Sequence, residues 1–293
     1  MFWCALLVSI GCFLYPFSIH ADPHKLNVVA TFSVLGDLVK NVGGDAIDLT
    51  ILVGPDGDVH TFEPTPQDDV ILSKADVIFE NGLHFEHWLD DLYSASGSKA
   101  KRIIVIDGVE SIKRDREIDP HLWHDVANAM VMVRRIQDGL SMADPQHAVY
   151  YQGNARKYLE QLDQLDQWVL GQLEIIPLQD RKLVTSHDTF GYFCRRYGFQ
   201  LIGAALESMT TEAADPSAAQ MAGLVKKIRE TKVKAIFTEN THRPKLMQAL
   251  GQDVGVRVAT SLYTDALGKP GSDGDTYIKM MRHNVNVLTE YLK

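Results

Sequence analysis

"PQHAVYYQGNARKYLEQLDQLDQWVLGQLEI" occupies residues 145–175 and decides how the chain is organised. It carries no strand pattern. Tyr151, Ala155, Tyr158, Leu162, Leu165, Trp168, Val169 and Leu173 recur at steps of three and four, with Glu160, Asp163, Gln164 and Asp166 falling between them. That spacing lines the apolar side chains along one face of an α-helix. It predicts a single amphipathic helix of roughly 28 residues, about 42 Å long, enough to span two lobes.

On both sides of this helix the pattern changes. Before it, "LNVVATF" (26–32), "DLTILVG" (48–54), "DVIFEN" (76–81) and "RIIVID" (102–107) read as buried strands, rich in Val and Ile and bounded by turns. After it, "RKLVTSH" (181–187), "FQLIGAA" (199–205), "VKAIFTEN" (233–240) and "VRVAT" (256–260) read the same way. Helical spacing fills the gaps. "SVLGDLVKNV" has a serine N-cap at Ser33 and a stop at Gly43, "TPQDDVILSKA" follows, and "DPSAAQMAGLVKKIRE" opens on Asp-Pro. Alternating strand and helix implies parallel sheets covered by helices. The expected fold is α/β. Two lobes, each with a mainly parallel β-sheet flanked by helices, occupy 22–144 and 177–293 and are joined by one long rigid backbone helix over 145–176. No Gly/Ser linker interrupts the chain, so the joint should be stiff.

The first 24 residues, "MFWCALLVSIGCFLYPFSIHADPH", are apolar from Phe2 to Phe17. That is short of the roughly 20 residues a membrane span needs. The segment reads as a secretory signal peptide over 1–21, cut after Ala21, although only the amino terminus supplies positive charge. A buried N-terminal helix or a retained anchor is the alternative. "SIGC" around Cys12 is a poor match to a lipid-attachment signal, and more apolar sequence follows it. With the leader removed, Cys194 is the one cysteine left, so no internal disulfide can form. In "FGYFCRRYG" it reads as a buried structural thiol.

The whole chain has 293 residues, 45% hydrophobic and 23% charged, and a net charge of −9. The length suits more than one domain. The acidic balance argues against a general nucleic-acid binder, which carries a basic excess to neutralise phosphates.

In open α/β sheets, ligands bind beyond the carboxyl ends of the strands. Four metal-type side chains fall there. His60 lies in "GPDGDVHTFEPTP", after the second strand, and His121 in "DPHLWHD" (119–125), after the fourth. His187 ends the strand "VTSH", and Asp265 lies in "LYTDALGKPGSDGDTY", after the last strand. Two come from each lobe, and three imidazoles with one carboxylate can surround a divalent ion. Taken singly, each reads more simply as a hydrogen-bonded surface or capping residue. Composition and spacing alone leave both readings open.

Whole segments narrow the choice. "GPDGDVHTFEPTPQD", "NGLHFEHWL", "DPHLWHD", "VTSHDTFGYFCRRYG" and "LYTDALGKPGSDGDTYIKMMRHN" resemble, in order, the signature segments of the cluster A-I (cluster 9) solute-binding proteins of bacterial ABC transporters. The resemblance covers essentially the whole mature chain. It implies a periplasmic receptor, monomeric, that holds one Zn²⁺ or Mn²⁺ per chain as cargo. It also implies a partner, a membrane permease with its cytoplasmic ATPase, and no catalysis. The family's four ligands carry over onto His60, His121, His187 and Asp265. On this resemblance His124 is not a ligand. It shares a face with His121 and is expected to be either a supporting residue or exposed. Glu207 and Glu239 are further candidates for support, and Glu212 lies near the same loops. His84, His87, His242 and His283 read as surface residues.

The metal is less determined. Three histidines and an aspartate suit tetrahedral zinc, and His187 stands where manganese-binding relatives often have Glu. Against strict zinc specificity, the 60–121 segment has no His-rich loop and the mature chain has no second cysteine to form a disulfide with Cys194. A bidentate Asp265 would suit manganese, so dual binding is the expectation. Two other classes compete. A binder of a metal chelate such as a siderophore or heme needs a broad pocket lined by Arg, Tyr or Trp. A metal-dependent hydrolase needs an open coordination position and a base. The chain has no H-E-x-x-H, no G-x-S-x-G and no glycine-rich phosphate loop.

Overall fold

The computed structural model describes residues 25–114, 117–206, 208–211, 216–241 and 244–293. The expected leader, Glu207, Glu212 and His242 lie outside the described residues. The N-terminal lobe alternates strand and helix: β1 (Leu26–Phe32), α1 (Ser33–Gly43), β2 (Ile47–Val53), α2 (Pro66–Ser73), β3 (Val77–Glu80), α3 (Leu89–Ser96) and β4 (Lys101–Ile104). Its sheet runs β2-β1-β3-β4, every pair parallel. Ala30 on β1 pairs with Ile51 on one side and Phe79 on the other, and Val28 through Phe32 are buried. This is why "LNVVATF" is a near-continuous apolar run rather than an alternating one.

Local chemistry sets the helix starts. Thr65 and Asp68 form a capping box ahead of α2, Asp68 Oδ2 accepting from Thr65 N–H and Oγ1, each at 2.8 Å. The expected cap at Ser33 is not formed. α1 leaves β1 without a loop, Phe32 holds the cap position, and Ser33 is already helical. Its buried Oγ instead accepts the Leu267 N–H at 2.9 Å. The "RIIVID" strand ends at Ile104, and Val105–Gly108 turn away. A small antiparallel hairpin that the sequence did not announce follows, β5 (Lys113–Arg114) with β6 (Glu117–Ile118).

α4 (Val126–Ala143) is capped by Asp125, which accepts Ala127 N–H at 2.9 Å. α5 (Ala148–Leu173) is the long helix, 26 residues, preceded by a 3-10 turn at Pro145–His147. Seven of its predicted inward residues are buried; the eighth, Trp168, is half-buried beneath the Arg282 guanidinium, 4.6 Å from the ring centre. Asp166, expected among the polar positions, is buried too, because Tyr197 Oη donates to it at 2.9 Å and Arg196 pairs with it.

The C-terminal lobe continues as β7 (Lys182–Thr185), α6 (Gly191–Tyr197), β8 (Gln200–Ala204), α7 (Ala218–Thr231), β9 (Ala235–Glu239), α8 (Lys245–Val254), β10 (Arg257–Leu262) and α9 (Tyr277–Leu292). β7 pairs with β8 and β9 with β10, both parallel. α7 starts later than its Asp-Pro signal, at a capping box of Ser217 with Gln220. One apolar cluster extends from β1 through α1, α4 and α5 to α9, so both lobes share it. A second, including Ile202, Leu224, Ile236 and Leu250, stays within the C-terminal lobe. Among the described residues, no helix is long and apolar enough to cross a membrane.

Candidate metal centre

The carboxyl ends of the strands carry the four side chains singled out above. His60 is in the loop after β2, His121 follows β6 and opens the turn before α4, His187 follows β7, and Asp265 follows β10. The structure brings all four together. One donor atom from each lies within 4.8 Å of the others, and all four residues are buried. Asp265 is the centre: its Oδ2 is 3.0 Å from His187 Nε2 and 3.6 Å from His60 Nε2, and its Oδ1 is 3.6 Å from His121 Nε2. A tetrahedral ion with bonds of about 2.1 Å needs donors about 3.4 Å apart, so the set is close to ligating distance.

Each donor is held from behind. His121 Nδ1 meets Asp119 Oδ1 at 2.8 Å, and the same oxygen accepts the His121 N–H at 3.0 Å. Glu239, the last residue of β9, meets His187 Nδ1 at 2.5 Å through Oε2. Its Oε1 accepts the backbone N–H of Ser186 and of His187 at 2.7 and 3.0 Å. Carboxylates at Nδ1 leave Nε2 facing the centre as the acceptor once deprotonated. The His60 loop is anchored through its carbonyls: Trp88 Nε1 donates to Val59 O at 3.0 Å, and His87 Nε2 lies 3.0 Å from His60 O. Thr264, beside Asp265, accepts the Trp123 indole N–H on its carbonyl at 2.9 Å. Phe85 closes the apolar side, its ring centre 4.9 Å from that of His60 and 5.9 Å from that of His121.

The electrostatics follow from this crowding. Burial alone pushes the Asp265 carboxyl up, but His187, His121 and His60 outweigh it and hold the group far below the usual carboxylate range. Burial alone lowers His187, but Glu239 and Asp265 outweigh it and raise the imidazole well above its ordinary value.

His124 is neither exposed nor bonded to the cluster. It ends a 3-10 turn, is fully buried, and lies with its ring centre 4.6 Å from that of Phe190. Among the described residues neither ring nitrogen has a hydrogen-bond partner, and burial lowers its pKa to about 3. His121 stands outside the turn as its cap, with a non-helical backbone of φ −88° and ψ 48°, so the i, i+3 alignment that a helix begun at His121 would give is not formed. His84 and His87 are exposed as expected, though His87 also bonds the His60 carbonyl. His283 is half-buried, against Ser261 O at 3.0 Å. Asp119 and Phe85 were not singled out from sequence as supporting residues. The Asp-x-His spacing in "DPH" is the signal that could have found Asp119. A cavity of about 320 Å³, lined by His60, Leu83, His84, Phe85, Met209 and Thr210 among others, opens onto His60. A larger hollow of about 780 Å³ by Phe62 and Trp88 is lined by none of the four donors.

Comparison with known proteins places these features. The family model described as zinc-uptake complex component A, periplasmic, matches residues 28–291. The manganese-binding lipoprotein MntA of Halalkalibacterium halodurans is 34% identical over 288 residues, covering 98% of this chain and 95% of its own. The periplasmic zinc-binding protein TroA of Treponema pallidum superposes with a TM-score of 0.87 at 32% identity, covering 92% of this chain and 99% of that one. A manganese-bound periplasmic metal-binding protein of Candidatus Liberibacter asiaticus does so with a TM-score of 0.83 at 28% identity, covering 92% and 100%.

Proposed function

The chain belongs to the family of the periplasmic component A of zinc-uptake complexes, and from that premise we propose that it captures one divalent transition-metal ion between its lobes and delivers it to an ABC importer. The observation that carries this is the buried convergence of His60, His121, His187 and Asp265 on one point. Two ligands come from the N-terminal lobe (22–144), two from the C-terminal lobe (177–293), and the 145–176 segment sets their spacing. Asp119 and Glu239 hold the imidazoles with Nε2 inward, while Asp265 supplies the negative charge. The cargo enters past Phe85 and Met209 through the cavity beside His60. The chain is exported by residues 1–21, works as a monomer in the periplasm, and meets a permease coupled to an ATPase.

Four protein ligands close a coordination sphere, which suits carriage rather than hydrolysis, where a position stays open for water. The cavity at His60 is small and largely apolar, which disfavours a siderophore or heme. Imidazoles favour zinc over manganese on raw affinity. Both Asp265 oxygens face the cluster, which allows the higher coordination that manganese takes. The relatives are named for both metals. We therefore infer a receptor for either ion. The test is calorimetry on the chelator-stripped mature chain from Asp22 onward, with Zn²⁺ and Mn²⁺ added separately and in competition. One ion of each per chain, with comparable displacement, is expected. Zinc that manganese cannot displace would make it a zinc receptor, and no stoichiometric binding of either would overturn the site. The intact mass of the exported chain, expected to begin at Asp22, tests the leader; a lipid on Cys12 would overturn that cleavage.

A further inference from the structure

Both N-terminal-lobe histidines of the cluster are introduced by the same short turn. In "DVH" (58–60) and in "DPH" (119–121), the aspartate two positions earlier accepts the histidine's backbone N–H, at 3.0 Å each time. The turns then differ. Asp119 also takes His121 Nδ1, so that imidazole is oriented from within its own turn. Asp58 reaches out of its lobe, and its Oδ2 accepts the Thr211 hydroxyl at 2.6 Å, 153 residues along the chain.

Thr211 belongs to the turn beyond β8, which is itself tied to the far side of the cluster. The Asp188 N–H, next to His187, donates to Ser208 O at 2.8 Å, and the Thr210 N–H donates to Ser208 Oγ at 3.1 Å. A continuous path therefore runs from His187 through Ser208 and Thr211 to Asp58 and His60. The His60 loop makes two more contacts of this kind: Asp56 N–H donates to Leu267 O at 2.8 Å, and Asn240 Nδ2 donates to Asp56 Oδ1 at 3.1 Å.

We propose that Asp58 and Thr211 form an inter-lobe latch that positions His60, so that His60 is the ligand set last on capture and released first on delivery. The proposal rests on the reading of His60, His121, His187 and Asp265 as metal ligands. A hydroxyl donating to a carboxylate at 2.6 Å is a charge-assisted bond, and because it joins the two lobes it is broken when they part. Asp58 then loses its outer anchor, and the His60 backbone loses its fixed acceptor. The His121 imidazole keeps its Nδ1 partner through the same motion, because Asp119 lies in its own turn. Thr211 supplies none of the four donor atoms and acts through Asp58, as a positioning residue.

The test uses the mature chain as wild type, Thr211→Val and Thr211→Ser. Each is loaded with an equimolar amount of Zn²⁺ and mixed with excess chelator while release is timed. Exchange of the His60 and His121 amide hydrogens is followed in the metal-free proteins. Thr211→Val should release zinc about 10- to 100-fold faster, the span of the net contribution of one hydrogen bond to a charged group. It should also speed exchange at His60 and not at His121, while Thr211→Ser, which keeps the hydroxyl, matches wild type on both counts. Equal release and equal His60 exchange in wild type and Thr211→Val, with zinc bound, overturn the latch and leave the ligand reading intact. A wild type that binds no zinc overturns the ligand reading and the latch together. Should Thr211→Val fail to fold, Asp58→Asn removes the charge from the same bond and gives the same comparison.

Discussion

His187 sits between two carboxylates, Glu239 at Nδ1 and Asp265 at Nε2, and its proton decides how the site answers to pH. In the metal-free protein its pKa is raised, so near neutral pH the ring carries a proton that an ion on Nε2 must displace. Zinc binding should therefore release about one proton at pH 7, read from calorimetry in buffers of different ionisation enthalpy. Binding that releases none would mean His187 is already neutral and the pairing is wrong. Without metal, the raised His187 contributes stability that is fully present below about pH 6.5 and is lost as pH rises through its folded value. The depressed Asp265 contributes in the opposite sense, present above about pH 4 and lost as pH falls. His124 gives a separate test. Its pKa of about 3 means that the folded chain must bury a neutral ring that the unfolded chain protonates, so stability falls as pH drops from about 6.5 toward 3. His124→Leu should keep zinc affinity, remove that acid slope and match or exceed wild-type stability by up to about 1 kcal/mol, because two buried nitrogens without hydrogen bonds disappear. His187→Ala should abolish tight binding, and Glu239→Gln should cost about 10- to 100-fold. If His187→Ala and His124→Ala cost the same, the ligand assignment fails.

At the scale of elements, α4 shows how tightly a helix must approach the sheet to set the site. Gly139 on α4 faces Phe79 of β3 and Ile103 of β4, and an added Cβ would come to 2.9 Å from the Phe79 ring and closer still to Ile103. Alanine is the better helix former by about 1 kcal/mol. Gly139→Ala should nonetheless destabilise the chain by about 1–3 kcal/mol in denaturant unfolding, because the buried Phe79 ring cannot give way. A stabilised variant would show that the interface is looser than these distances imply. The same tertiary override explains what was legible from sequence. The eight strands read from Val- and Ile-rich runs each match a strand; in β1, β3, β7 and β9 burial on both faces writes itself as an unbroken apolar run, while β2, β4, β8 and β10 are partly exposed and were legible from their β-branched content and flanking turns. The β5–β6 hairpin was not legible, since two-residue strands of charged residues carry no period. Ser33 looked like a cap because the sequence does not say that β1 enters α1 without a loop. Four candidate donors were legible as residue types at strand ends. Their convergence was legible only through the family resemblance and not from composition or spacing, because it depends on loops whose course is fixed by contacts such as Asn284 with Tyr263, at 2.7 and 2.9 Å. His124 was misplaced by one assumption, a helix already begun at His121, which instead stands before the turn with a non-helical backbone.

For the whole molecule, the question is how far the lobes can part when the ion leaves. α5 packs along α4, α1 and α9, so the last helix of the C-terminal lobe returns to the shared spine. Trp123, fully buried, is held by the other lobe at both ends: its indole donates to Thr264 O at 2.9 Å, and its carbonyl accepts Tyr277 Oη at 2.7 Å. Tyr192 Oη donates to Asp119 O at 2.8 Å, and Ser33 accepts from Leu267. A wide hinge motion would break all of these and expose the apolar cluster that runs through both lobes. The cost would exceed what the differential affinity of one ion can supply, since a ligand shifts an equilibrium only by that difference. Opening should therefore be confined to the His60 and Asp265 loops, which bond each other through Asp56 N–H and Leu267 O, as in a small shear rather than a hinge. X-ray scattering of the mature chain should give a radius of gyration of about 18–19 Å, and zinc loading should change it by less than about 1 Å. Amide exchange should slow on loading around His60 and Asp265 and stay unchanged along α5. A contraction of several ångströms, or protection spreading along α5, would mean that the spine bends and that the lobes close as rigid bodies.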